Sequence, residues 1–107
     1  MASILDPHLD QIPELCRRYG VSRLELFGSA TTNAFDPPNS DLDFLVDFDA
    51  NPGDLFTRYF GFRGALEALY GRDVDLVMIG AMRNPYFIDS VNKTRQLVYA
   101  AENAQAA

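Results

Sequence analysis

The chain has 107 residues and a mass of 12.0 kDa, which predicts one domain over residues 1–107. Apolar residues make up 48% of it and charged residues 22%, values that exclude a disordered tail, a coiled coil and a collagen-like repeat. Its formal net charge is −6. Proteins that bind nucleic-acid phosphates directly usually carry an excess of basic residues, so we expect no direct nucleic-acid binding.

The sequence also indicates where the protein works. No run of residues approaches the roughly 20 apolar positions that a membrane-spanning helix needs, and the first residues do not resemble a signal peptide. The single cysteine, Cys16, excludes an internal disulfide. We therefore expect a cytoplasmic protein with no membrane span, and we expect Cys16 to be a buried, unreactive thiol because it lies on the apolar stripe of a predicted helix.

Hydropathy patterns along the chain predict helices that alternate with short strands. The predicted elements are a helix over 7–19, strands over 21–27, 41–48 and 73–79, helices over 55–70 and 84–92, and a short strand or helix tail over 95–99. Asp54 is the expected cap of the helix over 55–70. This order predicts an α/β or α+β domain in which helices cover one sheet.

The helix over 55–70 has more apolar residues than one stripe requires. Phe56 and Phe60 widen its apolar face, and we expect them to complete the core, the alternative being a surface for a partner. Gly61 and Gly64 weaken the helix, so they indicate either close packing against a neighbour or a kink.

Two carboxylates in the second predicted strand are the main functional signal. Asp41 and Asp43 are two residues apart, so in an extended strand they point to the same face. Side chains of like charge at that spacing repel each other unless a cation lies between them, and Mg²⁺ prefers such oxygen ligands. The alternative is an acidic strand edge that only deters aggregation.

A third carboxylate in the next strand would complete a two-metal site. Asp75 lies within an otherwise apolar segment, where a buried charge is costly without a cation. Asp73 is its rival, but it adjoins Arg72 at the predicted entrance of the strand. The Gly28–Ser29 dipeptide ends the first strand, and a glycine turn with a serine hydroxyl suits phosphate oxygens.

Together, Gly28–Ser29, a turn-rich spacer and Asp41-x-Asp43 resemble the nucleotidyltransferase superfamily of the DNA polymerase β type. The short chain and the segment 84–87 (NPYF) resemble its minimal nucleotidyltransferase (MNT) branch, whose members are typically encoded beside HEPN-domain ribonuclease toxins. The resemblance extends from Leu24 to about Tyr99. It implies the nucleotidyltransferase fold, a small mixed β-sheet covered by helices.

The resemblance also implies a chemistry. Asp41, Asp43 and Asp75 would hold two Mg²⁺ ions and carry out catalysis, with ATP as the substrate. Asp75 would help to deprotonate the attacking hydroxyl. The nucleotide-binding residues would be Gly28, Ser29 and Ser40.

The function that the resemblance implies is transfer of AMP to a hydroxyl, expected to be that of a tyrosine, on a cognate HEPN toxin. This antitoxin would neutralise the toxin in a hetero-oligomeric complex. The MNT pattern usually has an arginine where this chain has Thr32, and Arg63 or Arg83 would have to replace it. That departure keeps two alternatives open: a non-catalytic antitoxin that blocks the toxin by binding, and a transferase that acts on a small molecule.

Overall fold

The computed structural model of the chain describes residues 5–32, 41–50 and 53–101. Its strands are β1 (Val21–Phe27), β2 (Leu42–Phe48), β3 (Val74–Met78) and β4 (Gln96–Ala100), and its α-helices are α1 (Ile12–Tyr19), α2 (Leu55–Tyr70) and α3 (Pro85–Asn92). Short 3-10 segments cover Asp6–Gln11, Gly28–Thr31 and Ile79–Ala81. The strands form one sheet in the order β3-β2-β1-β4, in which only the β2–β3 pair is parallel. The expected mixed sheet with covering helices is confirmed.

The two faces of the sheet differ in what they bury. On one face, apolar side chains of the three strands β1, β2 and β3 form the main core with α1 and α2: Leu24, Leu26, Leu42, Phe44, Val46, Val74, Leu76, Ile12, Cys16, Phe62 and Leu66. On the other face, Val91 of α3 packs against Phe27 and Leu45 in a smaller cluster. Because strand side chains alternate, Asp43 and Asp75 project to this second face. The candidate site therefore lies on the side of α3.

The first helix begins later than its hydropathy pattern predicts. Residues Asp6–Gln11 form a 3-10 segment in which His8 departs from helical geometry (φ −128°, ψ 17°), and α1 begins at Ile12. Pro13 lies in the first turn of α1. Its ring would clash with the carbonyl of a preceding helical turn, so the α-helix starts there instead of running through from residue 7.

At the other end of the chain, the ambiguous segment 95–99 forms strand β4, which pairs with β1.

Cys16 is buried, as expected, and burial raises the pKa of its thiol to about 12. A thiol with this pKa stays protonated and unreactive near neutral pH. Among the helices of the described ranges, none is long and apolar enough to cross a bilayer.

Helix α2 confirms one expectation and corrects another. The Asp54 carboxylate caps the helix by accepting a hydrogen bond from the Phe56 amide at 3.0 Å. Phe56 and Phe60 do not complete the core: they are 70% and 46% exposed and pack on each other with ring centroids 4.6 Å apart. The reason is geometric, since Phe62 and Leu66 already fill the space between α2 and the sheet.

The outer edge of β3 is covered by side chains from one stripe of α2. The Tyr59 hydroxyl donates a hydrogen bond to the Leu76 carbonyl, and Arg63 Nε donates one to the Val74 carbonyl at 3.1 Å. Glu67 Oε2 accepts from the Val74 amide at 3.2 Å. These three side chains recur every fourth residue, so the helix runs along the strand and satisfies its outward-facing backbone groups.

The two glycines of α2 form a matched pair for a stability test. A Cβ at Gly61 would lie 2.7 Å from the Tyr19 ring, whereas one at Gly64 would meet nothing within 4 Å. We expect Gly64→Ala to stabilise the protein by about 0.5–1 kcal/mol through helix propensity. Gly61→Ala should instead destabilise it by about 1–3 kcal/mol because the Tyr19 ring must move. Chemical denaturation of both variants measures the difference, and equal effects would contradict the close packing of α1 on α2.

Candidate active site

The centre of the site is a pair of carboxyl groups on neighbouring strands. Asp43 of β2 and Asp75 of β3 are direct register partners in the parallel ladder, so their side chains leave the same face of the sheet side by side. Asp43 is half-buried and Asp75 is exposed. The pair therefore has one desolvated member and one that faces the solvent.

This arrangement changes the acidity of Asp43. Burial raises the pKa of Asp43 from its ordinary value of 3.8 to about 6, and the charge of Asp75, a hydrogen bond with Asp75 and the charge of Asp41 act in the same direction. Each cause disfavours a second negative charge at this position. Near neutral pH the fold thus holds a carboxylate in a place that favours either a proton or a cation beside it.

Asp41, the other acid of the predicted metal site, is close to this pair but does not complete a metal-binding cluster with it. Asp41 is exposed and precedes the first residue of β2, although its charge still acts on Asp43. Within residues 5–32, 41–50 and 53–101, no three side chains of His, Cys, Asp or Glu lie together in a way that would hold a metal ion. Ser40, predicted to bind nucleotide, lies outside the described residues.

The chemistry of the acidic pair nevertheless fits a hard divalent cation. Mg²⁺ is commonly held by one or two carboxylates, with water and substrate phosphates as its other ligands. A cation between Asp43 and Asp75 would remove the repulsion that raises the pKa of Asp43. The side chains that could hold such an ion are therefore Asp43 and Asp75, with Asp41 beside them.

The predicted phosphate turn lies directly against Asp43. Phe27 is the register partner of Asp43, and Gly28 follows it with a left-handed φ of +77°. A Cβ at Gly28 would lie 2.5 Å from Oδ2 of Asp43. Only glycine therefore satisfies both the backbone conformation and the close approach to the carboxylate.

Hydrogen bonds inside the turn involve its carbonyls and not the hydroxyl of Ser29. The Thr31 hydroxyl donates to the Gly28 carbonyl at 2.9 Å, and the Thr32 hydroxyl donates to the Ser29 carbonyl at 3.0 Å. No side chain or carbonyl of the described segments bonds to the hydroxyl of Ser29. The turn thus fixes its own carbonyls, and the Ser29 hydroxyl is a donor that a phosphate oxygen could accept from.

The structure adds three residues to this face that the sequence did not single out. The Gly28 amide donates a hydrogen bond to Oγ1 of Thr94 at 2.9 Å. Beside it, Arg95 forms a bidentate ion pair with the buried Glu25, with Nε–Oε1 at 2.8 Å and Nη2–Oε2 at 2.6 Å. The hydrogen bond from Arg95, with further help from Arg23, lowers the pKa of Glu25 to about 2 although burial opposes it.

Only part of this network had a signal in the sequence. Glu25 is a charged residue within an apolar strand, the same signal that singled out Asp75. Its partner Arg95 is 70 positions away, and Thr94 is 66 positions from Gly28. Spacing in the sequence does not reveal contacts over such distances, because they depend on how α3 returns to the sheet.

The two arginines expected to replace a phosphate-binding arginine form hydrogen bonds elsewhere. Arg63 donates to the Val74 carbonyl at the β3 edge. Arg83 Nη1 donates to the carbonyls of Gly80 and Met82, at 2.8 and 2.9 Å. None of these bonds involves the acidic pair or the Gly28–Ser29 turn.

Comparison with known proteins places the whole arrangement in one family. The family model described as "Nucleotidyltransferase domain" matches residues 10–98, a range that includes β1 to β3, the Gly28–Ser29 turn and the acidic pair. The chain belongs to the nucleotidyltransferase family. The recognition made from Gly28–Ser29 and Asp41-x-Asp43 is confirmed.

Two curated relatives are similar over most of their length. Protein adenylyltransferase MntA of Thermococcus cleftensis is 35% identical over 99 residues, which cover 91% of this chain and 89% of that protein. A protein of Methanocaldococcus jannaschii that carries the provisional name protein adenylyltransferase MJ0128 is 36% identical over 85 residues, covering 79% of this chain and 82% of that one. Both relatives are therefore named as enzymes that transfer nucleotides.

Solved structures share the fold. A structure described provisionally as a minimal nucleotidyltransferase superposes with a TM-score of 0.70 at 27% identity, covering 89% of this chain and 95% of that chain. A chain in the complex of a tri-AMPylated Shewanella oneidensis HEPN toxin with an MNT antitoxin superposes with a TM-score of 0.61 at 16% identity, covering 94% and 76%. At the latter identity, the likeness shows the fold alone.

The raised pKa of Asp43 predicts a pH-dependent stability for the metal-free protein. On folding, the pKa of Asp43 rises from 3.8 to about 6, so the folded protein binds this proton more tightly than the unfolded chain does. The resulting contribution to stability is complete below pH 3.8 and is lost as the pH rises through about 6. We expect Asp43→Asn to raise the melting temperature by a few degrees near about pH 8 and to have little effect near about pH 3.5. Thermal melts in chelator across this range measure the effect.

Asp47→Asn is the matched control, since Asp47 is exposed on the same strand. It should shift the melting temperature little at either pH. A melting temperature of Asp43→Asn that follows the wild-type value across the whole range would contradict the proximity of Asp43 to Asp75.

Proposed function

We propose that the chain transfers AMP from ATP to a hydroxyl of a HEPN-domain toxin, a tyrosine hydroxyl being the expected acceptor, and so neutralises that toxin. The observation that carries the proposal is the Asp43–Asp75 pair, which lies directly against the Gly28–Ser29 turn. This is the pairing of metal-binding acids with a phosphate-binding turn that nucleotide transfer requires. The names of the two curated relatives, both protein adenylyltransferases, support it.

The reaction is an in-line displacement at the α-phosphorus of ATP. The acceptor oxygen forms a bond to that phosphorus, the bond to the bridging oxygen of the β-phosphate breaks, and pyrophosphate leaves. The proton of the acceptor hydroxyl passes to the carboxylate of Asp75, which is the exposed member of the pair. Asp75 thereby acts as the base, while Asp43 remains beside it as the half-buried anion.

The other residues of the site bind and orient the nucleotide. Asp41, Asp43 and Asp75 would hold two Mg²⁺ ions, which when bound neutralise charge on the attacking and departing oxygens. The Ser29 hydroxyl would donate a hydrogen bond to the β- and γ-phosphates, with Ser40 as a further donor. Gly28 contributes by its lack of a side chain, which lets the turn approach Asp43.

Charge and size support a protein acceptor. The matched nucleotidyltransferase domain occupies residues 10–98 of 107, so within this sequence little remains for a separate substrate domain. The net charge of −6 suits a basic partner that binds RNA, because opposite charges speed the encounter. In the neighbouring complex it is the HEPN toxin that carries AMP, and we extend that relation to this chain.

A non-catalytic antitoxin is the second candidate, and one observation favours it. Thr32 occupies the place where the MNT pattern usually has an arginine, and the side chain of Thr32 caps the Ser29 carbonyl instead of offering a positive charge. In this case the chain would neutralise the toxin by covering it, and the acidic pair would serve no chemical purpose.

Labelled ATP separates the two candidates. The proposal implies that a HEPN-domain protein is encoded beside this one, and we expect incubation with Mg²⁺, α-labelled ATP and that protein to add the mass of AMP to it. Asp43→Asn and Asp75→Asn should each lower the rate by about a hundredfold or more, since each removes a charge that the transition state needs. Intact-protein mass spectrometry and transfer of label measure the product.

The control for these variants is Asp47→Asn, which changes an exposed carboxylate of β2 and should leave the rate within about twofold. The catalytic proposal would be overturned if the double variant Asp41→Asn/Asp43→Asn still neutralised the toxin while wild-type protein added no mass to it. That result would establish the non-catalytic antitoxin.

A further inference from the structure

We infer that Thr94 is a positioning residue for nucleotide binding: its hydroxyl anchors the Gly28–Ser29 turn at the distance from Asp43 that the triphosphate requires. The inference rests on the proposed function, because it takes that turn to be the nucleotide-binding turn. Thr94 belongs to the connection between α3 and β4, far from the turn in sequence.

The Thr94 hydroxyl both accepts and donates a hydrogen bond inside the protein. Oγ1 accepts the hydrogen bond from the Gly28 amide at 2.9 Å and donates one to the Val91 carbonyl at 3.4 Å. The Thr94 amide also donates to the Val91 carbonyl, at 3.0 Å. The hydroxyl is therefore oriented by the end of α3, and it holds Gly28 instead of contacting a ligand itself.

The segment that carries Thr94 is itself fixed to β1. The next residue, Arg95, forms the bidentate pair with the buried Glu25, and its amide bonds to the Val91 carbonyl at 2.9 Å. Strand β1 and its turn are thus held at two points, Glu25 and Gly28, by two consecutive residues of the α3–β4 connection. Because these bonds hold the α3–β4 connection to β1, Thr94 keeps the Gly28 amide in one position.

The position of Gly28 matters because there is no spare room beside it. With only 2.5 Å between a Cβ at Gly28 and Oδ2 of Asp43, the backbone of the turn is in close contact with the carboxylate. Ser29 follows immediately, so the distance from its hydroxyl to the acidic pair depends on where Gly28 is held. If the hydrogen bond between the Gly28 amide and Thr94 is lost, the amide bonds to water instead, and the turn moves away from the position that suits the phosphates.

Thr94→Val and Thr94→Ser test the inference, with Thr57→Val as the matched control. Valine keeps the shape of the threonine side chain and removes its hydroxyl, whereas serine keeps the hydroxyl. Thr57 offers the same chemical change on α2, where its hydroxyl donates to the Asp54 carboxylate on the opposite side of the sheet. The measurements are KM for ATP and kcat of AMP transfer, the Kd of a non-hydrolysable ATP analogue with Mg²⁺, the melting temperature, and hydrogen exchange of the Gly28 amide by NMR.

For Thr94→Val we expect exchange of the Gly28 amide to accelerate by about tenfold, and KM and the analogue Kd to rise by a similar factor. We expect kcat to change by less than about threefold, because the loss affects binding of the substrate and the transition state alike. Thr94→Ser should restore all values to within about threefold of wild type. Thr57→Val should lower the melting temperature without a change in KM, Kd or the exchange of Gly28.

Several results would overturn the inference, and they are distinct from failure of the proposed function. Unchanged exchange at Gly28 in Thr94→Val would show that the anchor does not hold the turn. Faster exchange with unchanged KM and Kd would show that the anchor does not position the nucleotide. If the wild type transfers no AMP, the proposed function fails, and the Kd of the ATP analogue alone tests the anchor. A Kd about tenfold weaker in Thr94→Val supports the anchor. An equal Kd, or no binding of the analogue by the wild type, overturns it.

Discussion

The close contact of Asp43 with Gly28 on one side and Asp75 on the other is the constraint on which the site depends. A half-buried carboxylate beside a second one is unfavourable by itself, and the raised pKa of Asp43 records that cost. The sheet maintains it through backbone pairing, because Asp43 is the register partner of Phe27 in one direction and of Asp75 in the other. A shift of β2 by one residue would turn Asp43 to the core face and put Leu42 or Phe44 in its place, and the same shift of β3 would replace Asp75 with Val74 or Leu76.

The division of labour between the two sheet faces follows from the same alternation. Alternate residues of β1, β2 and β3 build the main core with α1 and α2, so this core contains none of the carboxylates of the candidate site. The opposite face is covered only partly, by the small cluster of Phe27, Leu45 and Val91 under α3. The ion pair between the buried Glu25 and the half-buried Arg95 adds a polar contact on this face, where Asp75 is exposed to the solvent.

Local signals predicted most of the elements and half of the site. The period of two in residues 41–48 predicted a shared face for Asp41 and Asp43, and a single acid in an apolar strand pointed to Asp75. The sequence does not predict strand order or register, so it could not show that Asp75, and not Asp41, stands directly beside Asp43. It missed Thr94 for the same reason. Phe56 and Phe60 were assigned wrongly because hydropathy shows how wide an apolar face is, but not how much of it the sheet can cover.

The row of Tyr59, Arg63 and Glu67 along β3 has a consequence for how an acceptor reaches the site. These side chains occupy the outward carbonyls and amide of Val74 and Leu76, the residues that flank Asp75. A foreign polypeptide therefore cannot extend the sheet by β-augmentation on this side without first displacing three anchored groups. Under the proposed function, the acceptor hydroxyl would therefore approach the carboxylates from the open face of the sheet, at the tip of a long side chain and not from a strand paired to β3.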